Sequence, residues 1–168
     1  YTPRELEHQL KDSGSKAIVI IENFATTLQS CIANTPVKHV VLCAMGDQLG
    51  FLKGMLVNYV VRNVKKLVPE YSLPGAVRFN DAIAKGQRGT FKPVDIKPDD
   101  IALLQYTGGT TGVSKGAVLL HRNVIANVLQ AEAWNEPVMK SLPAGEQPTS
   151  ICALPLYHIF AFTVNMML

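Results

Sequence analysis

The chain has 168 residues and a mass of 18.3 kDa, with 48% apolar residues, 17% charged residues and a formal net charge of +3. This composition excludes a disordered protein, and the length is sufficient for a buried core. The small charge excess argues against a nucleic-acid binder. Because the three cysteines and four histidines are scattered, we expect reduced, buried thiols and no disulfide framework or Cys/His metal site.

The first third of the chain alternates predicted helices and strands. Thr2 and Glu5 have the spacing of a capping box, which predicts a first helix. The apolar run at 17–21 predicts a strand buried on both faces, and the run at 37–43 predicts a second buried strand, with a helix capped by Asn23 between them. This order is that of a βαβ unit, so we predict an α/β fold with a parallel sheet.

The segment from Gln48 to Pro69 contains no acidic residue and predicts a basic amphipathic helix around Phe51 to Val68. Such a helix either docks on its own domain with a solvated basic face or lies on an anionic membrane surface. The second interpretation predicts a cytoplasmic protein associated peripherally with the inner face of the cell membrane. The apolar residues at helical spacing are Leu52, Met55, Leu56, Tyr59, Val60, Val64 and Leu67, and the basic residues are Lys53, Arg62, Lys65 and Lys66.

These features divide the chain into three predicted sections. Residues 1–47 form the βαβ part, residues 48–75 the basic helical insert, and residues 76–168 a second part of the same domain. The last section begins with a short strand at 77–79, a helix capped by Asn80 and a polar connector at 86–99.

A loop rich in Gly and Thr follows a predicted strand at 101–105 and precedes another at 117–120, after which a helix is predicted from Val124 to about Trp134. Glycines let the backbone approach a ligand closely, successive N–H groups and hydroxyls donate to phosphate oxygens, and a lysine adds positive charge. The loop therefore predicts a polyphosphate clamp. Its residues are Tyr106, Thr107, Gly108, Gly109, Thr110, Thr111, Gly112, Val113, Ser114, Lys115 and Gly116.

Two better-known phosphate loops do not match this segment. The Walker pattern requires Gly before the Lys and Ser or Thr after it, whereas here Ser114 precedes Lys115 and Gly116 follows. The GxGxxG dinucleotide pattern also fails, because the first two glycines of the loop are adjacent.

The last eighteen residues, from Ile151 to Leu168, carry no formal charge and reach the length threshold of a membrane-spanning helix. Pro155 instead favours a break between a short buried strand at 150–154 and a helix from Tyr157 onward. Without further context, His158 in such an apolar segment is more typical of a core histidine than of a catalytic one.

The loop at 106–116 resembles the phosphate-loop motif of the adenylate-forming superfamily, [YF]-[TS]-[SG]-G-[ST]-T-G-x-P-K-G, except that Ser114 stands where Pro is usual. The sequence L-P-L-Y-H-I-F-A-F at 154–162 is similar to a second segment of that superfamily. Along its whole length the chain looks like the bacterial long-chain-fatty-acid–CoA ligases in particular.

The resemblance implies ATP-dependent conversion of a long-chain fatty acid to acyl-adenylate and then to acyl-CoA, with AMP and pyrophosphate released. ATP, coenzyme A and Mg²⁺ would be required, with Thr107 or Thr111 as a possible Mg²⁺ contact. The resemblance gives His158 a catalytic position between the adenylate and the acyl tunnel. It also places Tyr157 along the tunnel wall and Phe162 at a gate.

Segments that the superfamily uses for Mg²⁺, for the ribose hydroxyls and for the C-terminal lid are absent from this sequence. We therefore expect an internal part of the large N-terminal domain, inactive by itself. Two alternatives remain open. One is a fatty acyl-AMP ligase or another acid-activating relative, and the other is a non-catalytic phosphate-binding or membrane-docking module.

Overall fold

A computed structural model describes residues 1–107, 113–143 and 145–167. The polypeptide divides into two units, Tyr1–Pro93 and Val94–Leu168. The sequence-based sections, with boundaries after residues 47 and 75, remain a prediction.

The first unit contains a parallel three-stranded sheet. Its strands are β1 (Ala17–Ile21), β2 (His39–Cys43) and β3 (Val77–Arg78), in the order β1-β2-β3. In its register, Ala17 lies opposite His39, and Val41 lies opposite Val77. The predicted α/β class and parallel pairing are thus confirmed in this unit.

The first helix, α1 (Pro3–Asp12), begins with the predicted capping box. The Thr2 hydroxyl accepts a hydrogen bond from the Glu5 backbone N–H at 3.3 Å, and the Glu5 carboxylate accepts one from the Thr2 N–H at 2.7 Å. Leu6 and Leu10 lie one turn apart and are buried, so the apolar side of α1 contributes directly to the core of the unit.

The connection between β1 and β2 is more irregular than predicted. It contains a short helix α2 (Ala25–Gln29) flanked by 3-10 turns at Glu22–Phe24 and Ile32–Asn34. The predicted cap at Asn23 is wrong, because the Asn23 amide instead donates to the Leu67 carbonyl at 3.1 Å. A partner 44 residues away in sequence displaces the local capping interaction.

The expectation that β1 is buried on both faces is also wrong in the described part of the chain. Ile18 and Ile20 pack against the core formed with α1 and α2, as alternation in a strand requires. Val19 points to the opposite face and is 62% exposed. The sheet is therefore covered on one side at this strand.

The predicted basic helix is present as α3 (Phe51–Tyr59), which continues as a π-helical turn, Val60–Val64. The helical segment ends four residues before the predicted Val68. Lys66 adopts a positive φ of 50°, a left-handed conformation that cannot continue a helix.

The helix α3 crosses the segment after β2 at very short range. Gly54 is buried against Gly46, and a Cβ added to either residue would fall well inside van der Waals contact with the carbonyl oxygen of the other. The Asn58 side chain reinforces the crossing by accepting a hydrogen bond from the Gly46 N–H at 2.8 Å. Glycine is required at both positions by this backbone approach.

The helix after β3 is α4 (Phe79–Gln87), and it begins one residue before the predicted cap. Asn80 does not cap it. Its side-chain oxygen instead accepts a hydrogen bond from the Gln48 amide at 3.3 Å.

The second unit begins with an antiparallel hairpin, β4 (Ile101–Thr107) and β5 (Lys115–Leu120). The parallel pairing predicted for the fold therefore does not extend to this hairpin. It leads into the long helix α5 (His121–Ser141), whose start is stabilised by a hydrogen bond from the Leu120 N–H to the Asn123 side chain at 3.0 Å. The predicted inner side of α5 is confirmed, because Val124, Val128 and Ala131 are partly buried, together with His121 and Asn135.

The predicted strand at 150–154 is wrong, since these residues are extended or bent and have no strand partner among the described residues. Cys152 is exposed here, which corrects the expectation of a buried thiol. The chain then forms α6 (Ile159–Ala161) and a π-helical turn, Phe162–Met167, which packs along α5. Within the described ranges, none of the helices is long and apolar enough to cross a bilayer.

We expect Gly54→Ala to lower the free energy of unfolding by about 1–3 kcal/mol, because the new methyl group overlaps the Gly46 carbonyl. The measurement is urea-induced unfolding monitored by circular dichroism.

Gly86→Ala is the matched control, since this helical glycine has open space where its Cβ would lie. This substitution should raise the free energy of unfolding by about 0.5–1 kcal/mol, because Ala has a higher helix propensity than Gly. Equal effects at the two positions would contradict the close crossing.

Candidate phosphate-binding site

The hairpin β4–β5 fixes the two ends of the Gly/Thr-rich loop. Thr107 and Lys115 form the last cross-strand pair, and the Ser114 hydroxyl donates to the Thr107 carbonyl at 2.9 Å. This bond extends the pairing of the strands by one residue into the loop. The predicted phosphate ligands at its centre, Gly108, Gly109, Thr110, Thr111 and Gly112, lie outside the described residues.

Tyr106 and Gly116 form the next pair of the hairpin. The Tyr106 ring lies over the Gly116 Cα so closely that a Cβ on residue 116 would be 2.9 Å from two ring carbons. A methyl group at residue 116 would therefore force the Tyr106 ring to shift. Sequence reasoning assigned this glycine to the phosphate clamp and missed its packing role.

The polar groups at the described ends of the loop match the chemistry predicted for it. Lys115 is exposed at the start of β5, and no ion pair is recorded between it and another described residue. The Thr107 side chain is exposed at the end of β4, across from the lysine. An ammonium group and a hydroxyl on paired residues can bind neighbouring oxygens of one phosphate chain.

His158 lies at the N-terminus of α6, where it serves as the helix cap. Its Nδ1 accepts a hydrogen bond from the Phe160 N–H at 3.2 Å, so in the neutral imidazole the proton resides on Nε2. The side chains of His158 and Tyr157 are exposed, whereas Phe162 is partly buried at the start of the π-helical turn. His158 is therefore a capping residue with its donor nitrogen available, and not the core histidine typical of such a segment.

The described residues do not form a magnesium site by themselves. They contain no group of three His, Cys, Asp or Glu side chains that could hold a metal ion. Of the two predicted contacts, Thr107 offers a single hydroxyl, and Thr111 lies outside the described residues. Magnesium is usually bound through carboxylates together with substrate phosphates, so these residues alone do not fit the ion.

A charged cluster that the sequence reasoning missed lies in the first unit. Glu22 follows β1 directly and is 1% exposed. Arg62 binds it with two hydrogen bonds, of 2.7 and 3.0 Å, and Arg78 adds a third at 2.9 Å. Burial disfavours the charged carboxylate, but the hydrogen bonds and charges of both arginines outweigh burial and lower the pKa of Glu22. A lone acidic residue directly after an apolar strand was the available signal.

The cluster of Glu22 with its two arginines has a different role from the candidate phosphate site. The charge of the carboxylate is already compensated, and its role is to join segments that are 40 and 56 residues away in sequence. The pKa values of the Cys31 and Cys43 thiols are raised by burial, so both thiols stay protonated and contribute to packing.

The family described as AMP-binding enzyme matches residues 1–168. The long-chain-fatty-acid–CoA ligase of Escherichia coli O157:H7 is 54% identical over all of this chain and 29% of that protein. The corresponding ligase of Haemophilus influenzae is 54% identical over all of this chain and 30% of that protein. The 4-coumarate–CoA ligase 2 of Oryza sativa is 32% identical over 95% of this chain and 25% of that protein. The chain thus spans about three-tenths of the length of the ligases to which it is most similar here.

Solved structures support the fold. An anthranilate–CoA ligase in complex with anthranoyl-AMP has a TM-score of 0.55 and 24% identity over 80% of this chain and 21% of that one. The A domain of a carboxylic acid reductase from Segniliparus rugosus, in complex with AMP and a carboxylic acid, has a TM-score of 0.54 and 18% identity. This match covers 95% of this chain and 25% of that one.

We expect Glu22→Gln to lower the free energy of unfolding at pH 7 by about 3 kcal/mol, because it leaves two arginines without their carboxylate. The folded-state pKa of Glu22 lies below its ordinary value of 4.5, so its stabilisation is present above that value and is lost as the pH falls through the folded-state pKa. The difference between wild type and variant should therefore shrink below about pH 4.5. Urea unfolding between pH 7 and pH 3 measures it.

Glu70→Gln is the control, because Glu70 is an exposed acid of the same unit with no recorded ion pair among the described residues. It should change stability by less than about 0.5 kcal/mol at any of these pH values. A Glu22→Gln variant with the same pH dependence as wild type would refute the role of the cluster.

Gly116→Ala should destabilise the protein by about 1–3 kcal/mol, because the added methyl group meets the Tyr106 ring. In a Tyr106→Ala background the same change should stabilise by up to about 1 kcal/mol, since Ala then replaces Gly in an uncrowded strand. Thermal unfolding of the four proteins of this double-mutant cycle checks the change of sign. Equal effects in both backgrounds would show that the ring does not determine residue 116.

Proposed function

This chain belongs to the AMP-binding enzyme family, and from that membership we propose that the protein containing it activates a long-chain fatty acid with ATP. The 54% identity to long-chain-fatty-acid–CoA ligases over the entire chain is the observation that carries this proposal. In the first step, the carboxylate attacks the α-phosphorus of ATP, which forms acyl-adenylate and releases pyrophosphate. In the second step, the thiol of coenzyme A attacks the acyl carbon and releases AMP.

The loop between β4 and β5 is proposed to hold the β- and γ-phosphates during the first step. Negative charge develops on the departing pyrophosphate, and fixed donors stabilise it without reorganisation. The Lys115 ammonium supplies the charge, and the Thr107 hydroxyl lies on the paired residue of the opposite strand. The Ser114–Thr107 hydrogen bond supports this role, because it restrains the two ends of the loop.

The segment around His158 is proposed to contact the acyl-adenylate. Because Nδ1 is occupied as the helix cap, Nε2–H is the group available to donate to an oxygen of the adenylate. Tyr157 and Phe162 are proposed to line the acyl tunnel, with Phe162 as its gate. Their positions support this assignment, because Tyr157 directly precedes the capping histidine and Phe162 begins the π-helical turn one helical turn after it.

Mg²⁺ is proposed to bind only together with ATP. When bound, it would neutralise phosphate charge. The phosphate-holding role of this chain follows from its own donors, and the carboxylates such an ion requires are not found as a cluster among the described residues.

Two alternatives share part of this chemistry. A fatty acyl-AMP ligase would form the same adenylate but transfer the acyl group to a carrier protein. A non-catalytic module would bind phosphate or a membrane without turnover. The ligase releases AMP only when coenzyme A is present, and a fatty acyl-AMP ligase does not respond to coenzyme A. A non-catalytic module would show no pyrophosphate exchange.

The location proposed for the protein is the cytoplasm, with peripheral association to the inner face of the cell membrane. Free thiols at Cys31, Cys43 and Cys152 are consistent with a reducing compartment. The basic segment 48–69, which contains no acidic residue, supports attraction to anionic lipid.

We expect Lys115→Ala in the full-length protein to weaken ATP binding about 10–100-fold, since it removes a charge-assisted contact to phosphate. Pyrophosphate exchange that depends on a long-chain acid, measured against ATP concentration, provides the apparent affinity.

Lys97→Ala is the matched control, because it removes the same charge from the exposed connector before β4. The exchange kinetics of this variant should equal those of wild type. Unchanged ATP affinity in Lys115→Ala would count against the proposed clamp, and absence of exchange in the wild type would count against the ligase itself.

A further inference from the structure

One side of α3 is apolar and exposed. Its side chains recur at intervals of three, one and three residues, which places them on one helical face, and each is 58–73% exposed. We call this face the apolar stripe. Its residues are Leu52, Met55, Leu56 and Tyr59.

The opposite side of α3 holds the helix in place. Gly54 is buried against Gly46, Asn58 accepts a hydrogen bond from the Gly46 N–H, and Arg62 pairs with the buried Glu22. Rotating the helix to bury the apolar stripe would break all three interactions. The stripe therefore faces outward because the small and polar residues on the other side are the ones that fit against Gly46 and Glu22.

Three lysines lie in the same segment as the apolar stripe. Lys53 lies within α3, and Lys65 and Lys66 follow its π-helical turn, all three exposed. No acidic residue occurs between Gln48 and Pro69. Arg62 shares the single negative charge of Glu22 with Arg78, whereas the three lysines have no recorded ion pair among the described residues and are the cations that this segment offers to a partner.

We propose that the apolar stripe and these three lysines form a surface that inserts into an anionic lipid bilayer. This inference rests on the peripheral membrane location proposed above. Lysines are depleted in interfaces between protein surfaces, whereas an apolar helix face with flanking lysines suits a bilayer whose headgroups are negative. Arg62 and Glu22 act as positioning residues that present the stripe and do not contact lipid.

Sedimentation of the full-length protein with vesicles of phosphatidylglycerol and phosphatidylcholine tests the surface. Met55→Gln combined with Leu56→Gln should weaken binding at least tenfold, because two side chains lose their burial in the bilayer. Ile83→Gln, at an exposed apolar position of α4 in the same unit, is the matched control and should bind as wild type does. Equal binding of the stripe variant and wild type overturns the proposal.

The dependence of vesicle binding on the phosphatidylglycerol fraction distinguishes the proposed lipid contacts, the lysines, from the positioning residue Arg62. Lys65→Gln with Lys66→Gln should weaken binding to phosphatidylglycerol vesicles about 25-fold, roughly fivefold for each lysine, and leave binding to pure phosphatidylcholine unchanged. Arg62→Gln should weaken binding while keeping the wild-type dependence on the phosphatidylglycerol fraction. A reduced charge dependence in Arg62→Gln would show direct lipid contact and overturn its positioning role.

Hydroxyl-radical footprinting of the same protein shows what covers the stripe. We expect Met55 and Tyr59 to be oxidised in solution and protected after vesicles are added. Protection without vesicles would mean that another part of the full-length protein covers the stripe, which overturns the proposed surface. Vesicle binding without protection overturns this surface alone, whereas absence of vesicle binding overturns the peripheral location as well. Pyrophosphate exchange measured without vesicles reports independently on the proposed ligase reaction.

Discussion

One buried carboxylate joins three segments of the first unit. Glu22 lies at the end of β1, and its charge is compensated by Arg62 from the π-helical turn after α3 and by Arg78 from β3. A buried charge without partners costs several kcal/mol, so the fold has to bring both guanidiniums to this point. The direction of α3 follows from that requirement together with the close crossing of Gly46 and Gly54.

The second unit depends instead on a backbone ladder. The antiparallel pairing of β4 and β5 brings residues 107 and 115 together, and the Ser114 hydroxyl extends that order into the loop. Glycine at 116 admits the Tyr106 ring, so the strand that carries Lys115 packs closely against its neighbour. The position of the proposed phosphate donors at the loop ends thus follows from pairing between residues near in sequence, which is the kind of contact that a sequence pattern can predict.

Predictions that depended on local interactions were confirmed. The capping box of Thr2 and Glu5, strand β1 and the inner side of α5 all rest on contacts within a few residues or on regular periodicity. The predicted caps at Asn23 and Asn80 were wrong because each side chain found a partner from a distant segment, Leu67 and Gln48 respectively. The strand predicted at 150–154 did not form because an apolar run becomes a strand only where another strand pairs with it, and none does among the described residues.

The sequence by itself determined the α/β class and the parallel pairing of β1 and β2, and it predicts the residues of the phosphate loop. These features follow from residue type and spacing alone. Only the tertiary structure decided which side of α3 packs inward, why residue 116 is glycine, and that Glu22 pairs with two arginines. Periodicity shows which residues share a face of a helix. Which face is buried depends on close backbone contact and on charge compensation, and both come from segments far apart in the chain.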